Sequence, residues 1–428
     1  MTVRTVTKGY QIIRCCTDSA IPYLSVLIVG FVSASFVDYL YRHVYPGIPL
    51  VKGQPPLVWL SGLTFACAVV LWLIYDGRRS KDPWFNSFIW AMIIAWVIHM
   101  SLAIIHRDGY THPVWIYVPI LLMIWWKTPS YRDVSTTTEV FAWSIVLVLV
   151  ATRTLELLGV IPMLDVGKDL VRFESEYYWL PLSGWLGPEG RWPGPMGGTA
   201  DTSTLAALLV VFGAAKRSRY RAVFVVVGGL ALLLTSVRGA FAAAIAGLLV
   251  AILLSKARWL MRVPQSARLP IAAGALIATF GLLFLQSPNL TGRTTSVWPE
   301  FLRLWEQAPL IGVGATGIAT GGSVTQSATQ GHNLLIDELA RNGLIGIIFQ
   351  GAAIGIGLLI AIRAANSAFG APLALLVTYF VGGVAFAPNG WLGPSLPWLF
   401  ILLSILLAST WLIESKPVVG SVRGSPPG

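Results

Sequence analysis

Charge is what this sequence has least of. Asp, Glu, Lys and Arg make up 11% of its 428 residues, against 55% hydrophobic residues and a mean hydropathy of +0.71. Soluble domains carry about 25% charged residues, so a soluble globular fold is excluded. Cysteine is almost as scarce. Cys15, Cys16 and Cys67 form no CxxC pair and no Cys/His cluster, which excludes a disulfide scaffold and a zinc site. Carboxylates are also few, and those in the loops expected on the outer face follow no familiar metal-ligand motif, so no Mg²⁺ or Mn²⁺ site and no cofactor are expected. The first residues carry Arg4, Lys8 and Arg14 but no short apolar region ending in small residues. No removable signal peptide is expected, and the first span serves as its own membrane signal.

Apolar runs are abundant. A hydrocarbon core needs about 20 apolar residues to be crossed by a helix, and segments near that length recur along almost the whole chain. The expected spans are 21–40, 57–75, 84–105, 113–126, 140–160, 202–215, 222–235, 240–254, 271–286, 344–362, 371–386 and 398–413. The reading is an all-α polytopic membrane protein of about 12 transmembrane helices, with residues 1–428 forming a single transmembrane domain.

The net charge of +11 raises the question of a nucleic-acid partner, and its distribution answers it. With both termini cytoplasmic, alternate loops and the termini hold 19 of the 30 Lys and Arg residues. This is the positive-inside pattern of a multi-pass protein, so the partner is the lipid bilayer and no nucleic acid is expected. The outer side then receives two long loops, 161–201 and 287–342. Trp, Pro and Gly punctuate both, which argues for ordered structure on the membrane surface. In the second loop Trp298, Leu302 and Trp305 repeat at helical spacing behind Pro299. That spacing predicts a short amphipathic helix, whose tryptophans either anchor the loop at the headgroups or grip substrate.

Three arginines stand on the outer side against the charge bias. Arg191 lies in Gly190-Arg191-Trp192-Pro193-Gly194, Arg238 in the tight hairpin Thr235-Ser236-Val237-Arg238-Gly239-Ala240, and Arg293 in Thr291-Gly292-Arg293-Thr294-Thr295. The planar guanidinium fork suits phosphate oxygens, so the set points to a site for an anionic, diphosphate-like group. Snorkelling to lipid phosphates is the alternative for each one alone. His332 stands at the start of His332-Asn333-Leu334-Leu335-Ile336-Asp337-Glu338-Leu339-Ala340-Arg341-Asn342-Gly343. On a helix His332, Leu335, Ile336, Leu339 and Gly343 share one face, expected to be the packed one, and Asp337, Glu338 and Arg341 share the other. Asp337 and Arg341 are spaced to pair. Taken alone, His332 is equally well a polar cap at a helix start. Three further sets stand out. His106, Asp108 and His112 share one outer loop at a spacing that fits no familiar metal motif. Arg153 and Glu156 are spaced for an internal pair. Trp185 and Trp192 either stack on sugar rings or anchor the interface.

These elements, in this order, resemble the O-antigen ligase and O-antigen polymerase group of bacterial envelope enzymes. The resemblance is carried by Arg191-x-x-Gly194, Thr235-Ser236-x-Arg238-Gly239-Ala240, Gly292-Arg293, Trp298, Pro309-Leu310-Ile311-Gly312-Val313-Gly314, His332-Asn333 and Gly343-Leu344-Ile345-Gly346, and covers roughly residues 190–350. The chain departs from the group at Val237, where Ser is common, and at Asp201-Thr202-Ser203, where an Asn-Pro-Asn run is frequent. The resemblance implies a glycosyltransferase C-like fold with a cavity open to the outer leaflet of the bacterial cytoplasmic membrane. It implies a glycan donor on a polyprenyl diphosphate and an envelope acceptor, a lipid core or another glycan. Carried over by position, His332 is the general base, Arg238 and Arg293 hold the leaving diphosphate, and Arg191 helps. Trp192, Asn333, Trp298 and Trp305 are expected along the substrate. The implied enzyme is a metal-independent, inverting glycosyltransferase. A polymerase of lipid-linked repeat units needs the same groups. A membrane transporter is the alternative from another class, though the sequence lacks the inverted repeat and broken spans typical of one.

Overall fold

The computed structural model describes residues 23–44, 56–108, 117–161, 192, 194–195, 199–215, 219–235, 237–255, 297–321, 333–366, 370–386 and 395–415. All regular structure among the described residues is helical. In chain order the helices are α1 Tyr23–Val44, α2 Pro56–Ile74, α3 Pro83–Ile105, α4 Tyr117–Trp126, α5 Tyr131–Leu157, α6 Thr199–Ala215, α7 Arg221–Thr235, α8 Arg238–Ser255, α9 Trp298–Gln307, α10 Gly314–Thr320, α11 Leu334–Asn366, α12 Ala371–Phe386 and α13 Leu396–Glu414.

Short polar signals start the long helices. Asp82 accepts from the N–H groups of Trp84 and Phe85, with Pro83 opening the first turn of α3. Ser130 and Asp133 form a reciprocal capping box that starts α5. Ser395 caps α13 ahead of Pro397.

The two ends of the bundle differ in charge. At the basic end, Lys127 Nζ donates to the carbonyls of Trp72, Leu73 and Tyr75 and closes the end of α2. Tyr131 N–H donates to Glu414 Oε1 at 2.7 Å, joining the start of α5 to the end of α13. Arg363 stacks over Trp84, and Arg79 over Trp125. A cavity of about 600 Å³ opens here, between the 75–83 loop, residues 128–130 and the end of α13. At the rise of about 1.5 Å per residue, α3 and α5 run from this end to the opposite one, where residues 309–314 and 343–346 lie.

The centre is filled by α13, which packs on α3, α5, α6, α11 and α12. Every residue from Leu396 to Thr410 is buried, as a helix apolar on all sides must be to sit inside other helices. Phe400 meets Phe141 and Phe212 with ring centroids 5.2 and 5.5 Å apart. Ser404 and Thr410 return their hydroxyls to the carbonyls of Phe400 and Leu406.

Eleven of the twelve expected spans fall on described helices; span 271–286 lies outside the described residues. Four helices, α3, α5, α11 and α13, are long and apolar enough to cross a membrane, and seven more apolar helices are shorter in their described part. This is an all-helical membrane protein. Two boundaries differ from expectation. Helix α5 begins at Tyr131 rather than near 140, because its polar first turns are satisfied internally: Ser25 Oγ meets Thr137 Oγ1 at 2.9 Å, and Thr138 bonds back to Val134. Helix α11 runs on to Asn366 rather than ending at 362, and the short helix expected ahead of span 344–362 is its first arm, from Leu334 to the non-helical Gly343.

Candidate active site

The feature that shapes this end is a break in α11. Gly343 has φ 61° and ψ −162°, a conformation essentially reserved for glycine. The break frees the N–H groups of Leu344 and Ile345 from the helix ladder. They donate instead to the carbonyls of Pro309 and Leu310, at 2.9 and 3.0 Å, while Val313 N–H donates to Ala340 O at 2.8 Å. The turn 309–313 is thereby stitched into the break. The approach is backbone to backbone: a Cβ at Gly343 would lie 2.5 Å from the Leu310 carbonyl carbon, and one at Gly312 (φ 72°) would lie 2.4 Å from the Arg341 carbonyl carbon. The two glycine motifs of the resemblance are the two sides of one seam.

Helix α9 lies beside it. Phe301 and Leu304 bury against Ile318 and Ala340, while Glu300 and Arg303 pair at 2.8 Å on the exposed side. The amphipathic helix expected here is present, with Trp298 and Trp305 half-buried at the margins of its packed face. Trp305 Nε1 donates to Pro309 O at 2.9 Å, so the same carbonyl serves the tryptophan and the seam.

Asn333 is the N-cap of α11. Its Oδ1 accepts from Leu335 N–H at 3.0 Å and Ile336 N–H at 3.3 Å, and its carbonyl accepts from Asp337 N–H at 2.9 Å. The capping task that offered an alternative account of His332 therefore belongs to its neighbour. Asp337 and Arg341 pair at 3.2 Å, as their spacing predicts.

The expected faces of this segment hold only in part: Ile336 packs towards Phe301 and Ala340 and Gly343 is buried, but Leu335 and the two carboxylates are placed the other way. Asp337, Glu338 and Asn342 are buried, at 2, 3 and 5% exposure, whereas Leu335 is 43% exposed, as is the outer side of the following turns at Leu344 and Ile348. A packed face in water is apolar, but a bundle in lipid can turn leucines outward and must enclose its polar side chains.

On the other flank, Glu156, buried near the end of α5, pairs with Arg153 at 3.0 Å as expected and also accepts Trp192 Nε1–H at 3.0 Å. Trp192 N–H donates to Leu234 O at 3.0 Å. The indole is thus buried inside the protein, with its N–H engaged by a carboxylate. These bonds tie the 192–195 stretch to the end of α7, next to the turn that opens α8 at Arg238. Val237 in that turn is fully buried and its carbonyl accepts from Ala240 and Phe241.

His106 and Asp108 both make contacts within the protein. His106 sits 2.9 Å through Nε2 from Ile311 O, and the Asp108 carboxylate accepts from the N–H groups of Ala315 and Thr316 at 2.9 and 2.8 Å. Both dock the end of α3 onto the 309–316 turn. No metal-holding group of His, Cys, Asp or Glu occurs among the described residues. His112 lies outside the described residues, as do Trp185, Arg191, Arg293 and His332; of Arg238 the backbone alone is described.

One buried polar set escaped the sequence reading. On α11 Asn342 and Gln350 both donate to Glu338, and Asn342 also meets His99 on α3. The four-residue spacing of Glu338, Asn342, Gly346 and Gln350 is a one-face signature, hidden because Glu338 was assigned to the outer face.

Residues 222–350 match the O-antigen ligase family model. The match runs from α7 through the first half of α11 and includes Arg238, Arg293, His332 and both glycine motifs, but ends short of Arg191. No curated protein matches the chain.

Proposed function

Starting from an O-antigen ligase segment at residues 222–350, we propose that the protein transfers a finished glycan from a polyprenyl diphosphate carrier to an acceptor hydroxyl. The reaction takes place at the outer face of the bacterial cytoplasmic membrane. The basic end of the bundle faces the cytoplasm, in keeping with the positive-inside rule, and the end bearing the glycine seam faces outward.

His332 takes the acceptor proton, which a neutral imidazole with an ordinary pKa of about 6.5 does at physiological pH. The acceptor oxygen attacks the anomeric carbon, the bond from that carbon to the diphosphate oxygen breaks, and the diphosphate leaves with the electron pair. A single displacement inverts the anomeric centre. Arg238 and Arg293 neutralise the charge gathering on the diphosphate, with Arg191 at the rim. They do this without a metal. Asn333 fixes the backbone beside His332, Trp192 tethers the segment that carries Arg191, and Trp298 and Trp305 lie along the path of the lipid-linked donor.

The observation that carries this reading is the seam. It binds residues 308–313, downstream of Arg293, to residues 340–345, downstream of His332, so two distant parts of the matched segment share one anchor. The same groups serve a polymerase. Full-length lipid-linked polymer accumulating in a deletion strain marks a ligase; accumulating single repeat units mark a polymerase.

The test is transfer in proteoliposomes supplied with lipid-linked donor. His332→Ala is expected to lower turnover by about 10² to 10⁴-fold, and Arg238→Ala or Arg293→Ala by about 10² to 10³-fold, each with an unchanged size-exclusion profile. NMR of the product linkage checks inversion. Full transfer by His332→Ala and Arg293→Ala would overturn the assignment.

A further inference from the structure

In an uninterrupted helix the origins of Glu338 and Gln350 are about 18 Å apart, beyond the combined reach of the two side chains. Here Gln350 Nε2 donates to Glu338 Oε1 at 2.5 Å. The contact exists because the break at Gly343 folds the two arms of α11 towards each other. The same Oε1 accepts from Asn342 Nδ2 at 2.7 Å, and Asn342 Nδ2 lies 3.2 Å from His99 Nδ1 on α3. Glu338, Asn342 and Gln350 are all at most 5% exposed. Gly346 leaves the room this requires: a Cβ there would stand 2.7 Å from Glu338 Oε1 and 2.3 Å from Asn342 Cβ.

We propose that Glu338 is a positioning residue: its carboxylate, held by Asn342 and Gln350 over the space left by Gly346, ties the two arms of α11 across the Gly343 break. It thereby sets the direction of the arm that begins at Asn333. Buried polar side chains at membrane depth are costly, and a strut between two arms of one helix is a use that repays the cost. The seam on the other side of α11 fixes where the break lies; the strut fixes its angle. The catalytic consequence rests on the reading of His332, one residue before Asn333, as the base.

The experiment compares Glu338→Ala, Glu338→Gln and Gly346→Ala in nanodiscs, in a background with Cys15, Cys16 and Cys67 replaced by Ser. Spin labels at Leu335 and Leu359, both exposed and on opposite arms, report the inter-arm distance by pulsed EPR. Wild type is expected to give one narrow distance. Glu338→Ala and Gly346→Ala should broaden or shift it, and Glu338→Gln, which keeps a carbonyl oxygen for both donors, should retain it. In the transfer assay Glu338→Ala should lose about 100-fold in kcat, the scale of an ångström-sized misplacement, with KM for the lipid-linked donor unchanged and with rescue by Glu338→Gln. If Glu338→Ala does not fold, Gly346→Ala decides. A native distance in both variants overturns the strut. So does a Glu338→Gln protein with native distance but the inactivity of Glu338→Ala, since the carboxylate would then act through its proton. If the distances change as expected while the wild type moves no glycan, the strut stands and the proposed function falls.

Discussion

The glycine seam makes Gly343→Ala an exacting substitution. Two costs combine. The backbone at φ 61°, ψ −162° is strained by about 1–3 kcal/mol for any residue with a Cβ. The new Cβ would also stand 2.5 Å from the carbonyl carbon and oxygen of Leu310 and 2.6 Å from Gly312 N, so the 309–313 turn must retreat. With it go the bonds from Leu344, Ile345 and Val313, each contributing about 1 kcal/mol. The sum, about 4–6 kcal/mol, shifts the closed-to-open equilibrium of the seam by about 10³-fold or more. Hydrogen exchange of those three amides in nanodiscs reads this directly, with protection expected to fall by about that factor. Gly351→Ala is the matched control: a Cβ there meets nothing within 4 Å, and the change should be neutral or stabilise the helix by up to about 1 kcal/mol. Protection in Gly343→Ala within tenfold of wild type, together with full glycan transfer, would refute the reasoning.

Two further outcomes follow from the docking and lipid-facing residues. Asp108→Ala removes the carboxylate that holds Ala315 and Thr316, so it should cost about 0.5–2 kcal/mol, seen as a lower melting temperature and faster exchange at those two amides. EDTA on the wild type should do neither, and an equal EDTA effect would make Asp108 a metal ligand. Ile348 is 61% exposed on the apolar arm of α11, about one turn inside the expected span, so Ile348→Arg should cost less than the roughly 2.5–3.5 kcal/mol of the bilayer centre but still reduce the folded yield from membranes. A wild-type yield would mean that this face does not meet lipid.

The helices were legible because length and apolarity alone define a span, and 371–386 was read to the residue. The start of α5 was not, since Ser and Thr look like loop until Thr137 finds Ser25 across the bundle. The faces of 333–343 were misread in part, for a related reason. Periodicity names two faces, and only the surroundings decide which one is enclosed; lipid reverses the rule that water teaches. At the candidate site the pairings Arg153–Glu156 and Asp337–Arg341 were visible in their spacing, because helical neighbours depend on local geometry. The seam was visible only as a resemblance, since nothing in the letters Gly312 and Gly343 tells that their backbones touch. The role of Asn333 as cap, and of Trp192 as tether to Leu234 and Glu156, depended on partners that only the fold supplies.

The placement of α13 has a consequence for biogenesis. The ribosome delivers this helix after every element it packs on, yet it occupies the middle of their assembly, where Phe141 and Phe212 close on Phe400. Earlier helices must therefore linger in the bilayer as a loose ring around an unfilled hole until residues 396–414 emerge and slot in from the side. A stop codon upstream of that helix would leave a ring without its core, so quality control of this assembly waits on residues 396–414.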